Sequence, residues 1–587
     1  MRKFSWRGYL LILFIPLAVL ITSLFLRAAS GPFWQFADPS YNYLFNAIQI
    51  VKYHTPTDFC HPGTPLQGLI ALTILVFNLG RSNFDAVNRV LVNPEFYLNA
   101  LYVVLVLGSF ITLAILSVYI YRKTKDMLAV LLAQLPLLSF LIMPSFDNGS
   151  FPVVPVVANV SAEPLFIIIM NLFNLSILAL YFSKKSSRET LIVLFLAFVC
   201  GLGMGTKIDF IFILLSAFII VPLRKKALFT AALVVFFIIC TLPIVGKYLQ
   251  LFSWIGMILG HSSLYGGGSK EFFDGKYFMA HLGIMIEFYW FFIFPALGLF
   301  IWSLVRMIKN WQDRNAFFIG TLSICCLLHF AVVANHFSAH YLLPCFALFA
   351  PMLVVFYLDQ AANYRIVKPL TMVLILIFMG GHAVYTMAYY KKLQAFTHEI
   401  RQFGDKISVT YPQCTIIPST SEDSLFFINE QEALHRGNAF TYRLESEDLY
   451  RLYPKSYYFF AEEVTSSEAN ESYGIWNFKE RVYADDILAA SPCAIFVKYT
   501  TDFSLFPFQV RLLEKSKYLN ALLVTGSTEK QAEYMFYLAI DSLKKKNYQQ
   551  AMAWALKSRE LNYKPRGQLE YLIKIIYNVL MKSQPSV

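Results

Sequence analysis

Long apolar runs alternate along the chain with short basic turns. The first run follows the basic start MRKFSWRGYL and reaches about Leu26, enough to cross a bilayer as a helix. No small-residue cleavage site follows, so it reads as a retained signal anchor with its N-terminus in the cytoplasm. Residues 66–80 are apolar but too few for a normal span. Laying them at the interface lets residues 97–121 run from outside to inside and delivers YRKTK to the cytoplasm, where Lys and Arg belong. Residues 27–96 then form one outside loop with two interfacial helices. Further spans are predicted at 127–143, 163–182, 190–205, 208–223, 227–246, 281–304, 315–333, 341–358 and 367–388, about eleven in all. The turns carrying Lys184, Lys185 and Arg188, then Arg224, Lys225 and Lys226, fall inside, as do Arg306, Lys309, Arg314, Arg365 and Lys368. An odd number of spans sends the C-terminus outside, which Lys391 and Lys392 weakly oppose.

Beyond about residue 393 the pattern changes. CTIIP, SYYFFAEE and CAIFVKY read as short strands with charged helical stretches between them. The expected fold class is mainly α: a polytopic helical membrane domain over 1–390, an extracytoplasmic α/β domain over 391–525, and a helical segment over 526–587. In that last segment AIDSLKKKNYQQAMAWALKSRELN resembles one tetratricopeptide unit, with Ala539, Tyr548, Ala551 and Leu561 in place. Ser542, Ser558 and the displaced Pro565 depart from it. One copy cannot stack on neighbours, so a plain helical hairpin covering the α/β domain is the alternative.

Composition narrows the class. With 57% apolar and 15% charged residues, the chain could not wet a soluble protein's surface. The net charge of +12 is scattered over short turns and forms no basic patch, which argues against nucleic acid. Of eight cysteines, Cys200, Cys240, Cys325, Cys326 and Cys345 lie in apolar runs. Cys414 and Cys493 could pair in an oxidising compartment, and Cys60 also lies in an outside segment.

Polar chemistry gathers in a few blocks. In FADPSYNYLFNAIQIVKY, Tyr41, Leu44, Phe45, Ile48 and Val51 form one helical stripe, and Asn42, Asn46 and Gln49 another, the pattern of a helix lying flat on the membrane. Asp38 and Pro39 suit its N-cap and first position. Thr64-Pro65 repeats that start before the next helix. GLGMGTKID puts Lys207 at an outside turn, as a phosphate partner or as a lysine snorkelling to the interface; its spacing is not that of a P-loop. NHFSAHYLLP supplies His336, His340 and Tyr341, for phosphate, for sugar, or as structural groups. The second outside loop adds Asp147 in PSFDNG and Glu163 in SAEPLF, the latter also suited to a helix N-terminus. Glu163, Lys207, Asp209, Glu287, His329 and His340 all fall near outer span ends, where ionisable groups are costly unless they serve a function. The glycine-rich stretch within 247–280 reads as a mobile cover or a plain loop.

The order DPSYNYLFNAIQI, HPGTPLQ, GTK, HYLLP over residues 1–390 resembles the GT-C superfamily of membrane glycosyltransferases. That group includes protein O-mannosyltransferases and lipid A aminoarabinose transferases, and the resemblance is strongest to bacterial members. It implies inverting transfer of a monosaccharide from a polyprenyl-phosphate donor to an acceptor hydroxyl at the outer face, with Asp38 as general base. It further implies that Lys207, His340, Tyr341, His61 and His336 meet the donor's phosphate and sugar. Asp147, Glu163, Asp209 and Glu287 would be secondary acidic groups. The first loop carries Asp38 and only the distal Asp58, where protein mannosyltransferases have a fuller acidic pair, so use of a divalent metal stays open. The implied partners are the lipid-linked sugar, membrane lipid, and an acceptor glycan, lipid or protein. The implied place is a bacterial inner membrane with the C-terminal domain periplasmic or extracellular. A lipid-linked sugar flippase and a non-catalytic assembly protein are the competing readings.

Overall fold

The structure is a computed structural model. It describes residues 6–59, 63–140, 155–183, 186–260, 274–335, 337–420, 427–460, 474–498, 508–516, 519–527, 529–544, 547–560 and 566–583, without the side chains of a few of them, Asp38 included. The chain divides into two compact units, one of residues 1–33 and 43–396 and one of 34–42 and 397–587.

The first unit is helical, and two of its helices, over residues 37–51 and 367–410, share residues with the second unit. Its elements are α1 (Trp6–Ala29), α2 (Ala37–Val51), α3 (Thr64–Phe77), α4 (Asn83–Val92), α5 (Pro94–Thr124), α6 (Met127–Phe140), α7 (Ala162–Phe182), α8 (Ser186–Thr206), α9 (Ile211–Ile220), α10 (Lys226–Cys240), α11 (Tyr248–Gly260), α12 (Gly275–Lys309), α13 (Arg314–Asn335), α14 (Leu343–Asn363) and α15 (Val367–Thr410). Among the described residues eight helices are long and apolar enough to cross a bilayer, so this is an integral membrane protein. The other three predicted spans are shorter or bent: α6 and α9 are short, and α10 meets the next helix at 88°. That bend falls at Thr241–Pro243, where proline cannot continue a helical ladder. The predicted loop 247–280 therefore opens with a helix, α11; residues 261–273 lie outside the described residues.

The first loop departs most from its pattern. Within α2, Leu44, Phe45 and Ile48 are buried, but so are Asn46 and Gln49. The polar stripe faces protein instead of water. Asn46 Oδ1 accepts from the Thr57 and Asp58 amides, both at 2.9 Å, and so folds the chain that follows back onto the helix. Both helices also start earlier than expected, α2 by two residues and α3 by one. A 3₁₀ turn over Phe33–Phe36 feeds straight into α2 at Ala37, so Asp38 is inside the helix. Gly63, at φ +60°, caps α3. A third loop helix, α4, was not expected. Its sign was present: Ser82 accepts from the Asp85 amide at its start, and Ala86, Val87, Val90 and Leu91 form its buried face.

In the second unit a seven-stranded mixed sheet is built from β1 (Thr415–Thr420), β2 (Tyr458–Phe460), β3 (Gly474–Trp476), β4 (Arg481–Val482), β5 (Ala494–Lys498), β6 (Phe508–Lys515) and β7 (Asn520–Ser527), in the order β4-β3-β2-β1-β5-β7-β6. β2, β1 and β5 are parallel, with Ile416 beside Ile495. α16 (Glu430–Phe440), α17 (Ser446–Leu452) and α18 (Ala484–Ala490) provide the crossovers. Cys414 and Cys493 form a disulfide that joins the starts of β1 and β5. Phe427 N–H donates to the Gln35 carbonyl at 2.8 Å, which ties residues 34–42 to this unit. The C-terminal segment holds three helices, α19 (Glu529–Lys544), α20 (Tyr548–Glu560) and α21 (Arg566–Ser583), where a hairpin was the plainer expectation. Ala539 and Ala551, two of the repeat-like positions, are fully buried in their common core with Leu569 and Ile576.

Candidate functional site

Three glycines of GLGMGTKID set the site's frame by letting other elements touch α8. A Cβ at Gly201 would meet the backbone of Phe237 at 2.9 Å, and one at Gly203 would meet the Phe210 ring at 2.5 Å. At Gly205 it would meet Thr241, Cys240 and Pro65. Phe210 thus folds back onto α8 and packs edge-on against Phe166 and Phe173 of α7. The Gly63 amide donates to the Thr206 carbonyl, bringing the start of α3 to the same place. Lys207 leaves the helix here in extended conformation.

Its side chain turns inward. Lys207 is 5% exposed. Nζ lies 2.8 Å from Glu163 Oε1 at the start of α7 and 3.6 Å from Asp209 Oδ2. It also stands 4.6 Å over the Tyr341 ring, a cation–π contact that holds the ammonium in place. His340 packs edge-on against the same ring at 4.3 Å, and its Nδ1 lies 2.8 Å from Ser338 Oγ. His329 Nε2 donates to the Tyr341 carbonyl at 2.7 Å, fixing the short turn before α14. Five of the residues singled out in the sequence therefore meet in one cluster: Lys207, Glu163, Asp209, His340 and Tyr341. The expected open phosphate partner is instead an ammonium faced by two carboxylates. The pattern missed this because Glu163 lies 44 residues from Lys207 along the chain.

The remaining candidates fall elsewhere. Glu287 is exposed on α12, with no contact to the cluster among the interactions described. Asp38 is placed only as backbone within α2, in the segment that packs with the second unit. His61, His336 and Asp147 lie outside the described residues. Among the described residues no three His, Cys, Asp or Glu side chains gather as a metal would need; around Lys207 the ammonium occupies the space between the carboxylates.

Two features extend the site. α14 begins just after the cluster's Tyr341, and within its first turn, at Phe346, an apolar cavity opens. The cavity, of about 720 Å³, is walled by α6, α12, α14 and α15 through side chains such as Leu135, Phe292, Phe346, Phe349, Leu374 and Phe378. α12 is kinked beside it at Tyr289. The basic turns gather at the other end of these helices. Arg224 pairs with Glu189 near the start of α8, about 27 Å from Lys207 along that helix. Arg306 pairs with Asp313 and Asp359 toward the end of α14, and Arg314 reaches the Tyr181 carbonyl at the end of α7.

No family model matches the sequence, and no curated protein does. Among solved structures the chain is similar to two crystal structures of ArnT from Cupriavidus metallidurans. The form bound to undecaprenyl phosphate gives a TM-score of 0.43 at 11% identity, and the apo form 0.45 at 10%. Each comparison covers 86% of this chain and 97% of that one.

Proposed function

We propose that this membrane protein is a glycosyltransferase that takes a monosaccharide from a polyprenyl-phosphate carrier at the outer face of the membrane and passes it to an acceptor hydroxyl. One observation carries the reading: the buried polar cluster around Lys207 includes the turn that leads into α14, and an apolar cavity opens within the first turn of that helix, at Phe346. A lipid-linked phosphate has that shape, a charged head on a long apolar chain. A soluble substrate would leave the cavity without purpose, and a channel would carry polar groups through the full depth.

The chemistry follows from the parts. The bond from the sugar's anomeric carbon to phosphate breaks as the acceptor oxygen bonds to that carbon. The carrier phosphate leaves with the electron pair, and the acceptor's proton must go to a base. Lys207 supplies the charge that the departing phosphate needs, and Tyr341 and His340 offer hydrogen-bonding groups beside it. Asp38 is the base on the strength of the family resemblance; a carboxylate is competent for that transfer. Attack from the face opposite the phosphate inverts the anomeric centre.

Sidedness is supported from two directions. The basic turns cluster at the end of the bundle opposite Lys207, as cytoplasmic ends do. The Cys414–Cys493 disulfide in the second unit suits an oxidising compartment. A bacterial inner membrane with that unit outside accommodates both.

The test is transfer of labelled sugar from a polyprenyl-phosphate donor by the purified protein in liposomes. Asp38→Asn is expected to cut transfer at least 100-fold with the melting temperature unchanged. Wild-type activity in Asp38→Asn removes it as the base. Movement of the labelled lipid across the bilayer with no transfer product supports a flippase instead.

A further inference from the structure

The Lys207 cluster raises an electrostatic problem whose solution assigns Glu163 a role of its own. An incoming phosphate is an anion. The ammonium that should receive it is already engaged by Glu163 at 2.8 Å and has Asp209 at 3.6 Å. Two carboxylates against one ammonium repel an anion, and the interior magnifies that repulsion because few waters screen it. A phosphate drawing close to Nζ competes with Glu163 for it. The two carboxylates are not equivalent. Glu163 Oε1 accepts a charge-assisted hydrogen bond from Nζ. Asp209 Oδ2 is buried and, among the described residues, has no hydrogen-bond partner, lying beyond hydrogen-bond reach of Nζ. Glu163 also sits in the first turn of α7, where the helix N-terminus favours its charge. The Ser161 hydroxyl hydrogen-bonds the same carboxylate, so it has partners left when Lys207 is taken from it.

We propose that Glu163 is an exchangeable counter-ion that yields Lys207 to the carrier phosphate on binding and reclaims it after transfer, driving release of the spent carrier. The inference rests on the donor reading above. No covalent step is added: an ion pair opens and closes. Its consequence is asymmetric. Before transfer the carrier bears a phosphodiester with a single charge. Afterwards it is a monophosphate with up to two. The spent carrier therefore holds Lys207 more strongly and most needs a competitor to leave. Glu163 is a positioning residue in this scheme, since it acts on the phosphate through Lys207.

The experiment uses the full-length protein in nanodiscs, titrated with undecaprenyl monophosphate and read by native mass spectrometry as the fraction bound. Glu163→Gln keeps the side chain's shape and removes its charge. It is expected to tighten binding about tenfold, the equivalent of ~1.4 kcal/mol. Glu163→Asp keeps the charge and should stay within about threefold of the wild type. Asp209→Asn should tighten binding by less than Glu163→Gln, because its carboxylate makes no hydrogen bond to the ammonium. Lys207→Gln should weaken binding at least tenfold, and adding Glu163→Gln to it should then change nothing further. In the transfer assay Glu163→Gln should become more sensitive to inhibition by added monophosphate. A merely structural Glu163 gives the opposite sign, with weaker binding and a lower melting temperature in Glu163→Gln, and that result overturns the counter-ion. Unchanged binding in Glu163→Gln alongside weakened binding in Lys207→Gln also overturns it while leaving the donor reading standing. Absence of binding in every form, wild type included, removes both.

Discussion

A buried ionisable side chain is held in the charge state its surroundings prefer, and this molecule shows that in both units. At Lys207 the ammonium is balanced by carboxylates and a tyrosine ring, so its burial is compensated. In the second unit His435 lies flat on Phe478, with ring centroids 3.6 Å apart, and Ser456 Oγ lies 3.2 Å from its Nε2. Burial, aided by the nearby Arg443, pushes its pKa down to about 3. An unfolded histidine titrates near 6.5, so between those values the unfolded chain binds the extra proton and folding opposes it. His435's own contribution should therefore be complete above about pH 6.5 and fall by up to ~1.4 kcal/mol per pH unit as pH drops toward 3. It runs against the opposite slope of Glu432, whose buried carboxyl is pushed up to about 8. Acid melting of the full chain, followed by near-ultraviolet circular dichroism, checks this. His435→Gln should flatten the slope over that window, and an unaltered slope would relieve His435 of the role. At this scale the sequence is informative about residue type and silent about pairing. GTKID and HYLLP displayed Lys207, Asp209, His340 and Tyr341 as candidates. Nothing local joined Glu163 to Lys207, because that contact is made by two helices packing side by side.

Among the elements, apolar length was the strongest signal and amphipathic pattern the least specific. Runs such as 97–121 and 315–333 announced α5 and α13 because a bilayer tolerates nothing else of that length. The two-faced pattern of α2 was compatible with a helix on the membrane surface and with a buried helix whose polar face bonds protein. Only the return of Thr57 and Asp58 onto Asn46 decides between them. The glycine run before Lys207 has a similar lesson. Without a phosphate-loop spacing it carried no motif, yet it allows α8, α10 and the Phe210 turn to touch. Gly203→Ala should push Phe210 away and cost about 1–3 kcal/mol by overpacking. Because Phe210 buttresses the turn that carries Lys207, sugar transfer should fall with the melting temperature. Loss of neither, in a thermal melt and a transfer assay on the same preparation, would show that the contact is dispensable.

Across the whole molecule, the two ends of the helical bundle differ in chemistry. One end of the bundle carries Arg224, Arg306 and Arg314, paired with acidic or carbonyl partners at the turns. The other carries Lys207 sunk among carboxylates and beside the Tyr341 ring, with the apolar cavity beginning within the first turn of α14. The alternation of apolar runs and basic turns announced an end rich in basic turns, which the proposed sidedness makes the inner one. The cavity could not be foretold. It arises where α6, α12, α14 and α15 fail to fill the space between them beside the kink at Tyr289, and each helix alone looks like any other span. The most direct measurement is a cryo-electron-microscopy map of the nanodisc-embedded protein with undecaprenyl monophosphate. The phosphate is predicted within hydrogen-bond reach of Lys207 Nζ, with Glu163 moved off it and the chain lying against Phe346, Phe349 and Phe378. A phosphate bound among the arginine turns, or a lipid head seated elsewhere while Lys207 keeps its pair with Glu163, would contradict the account.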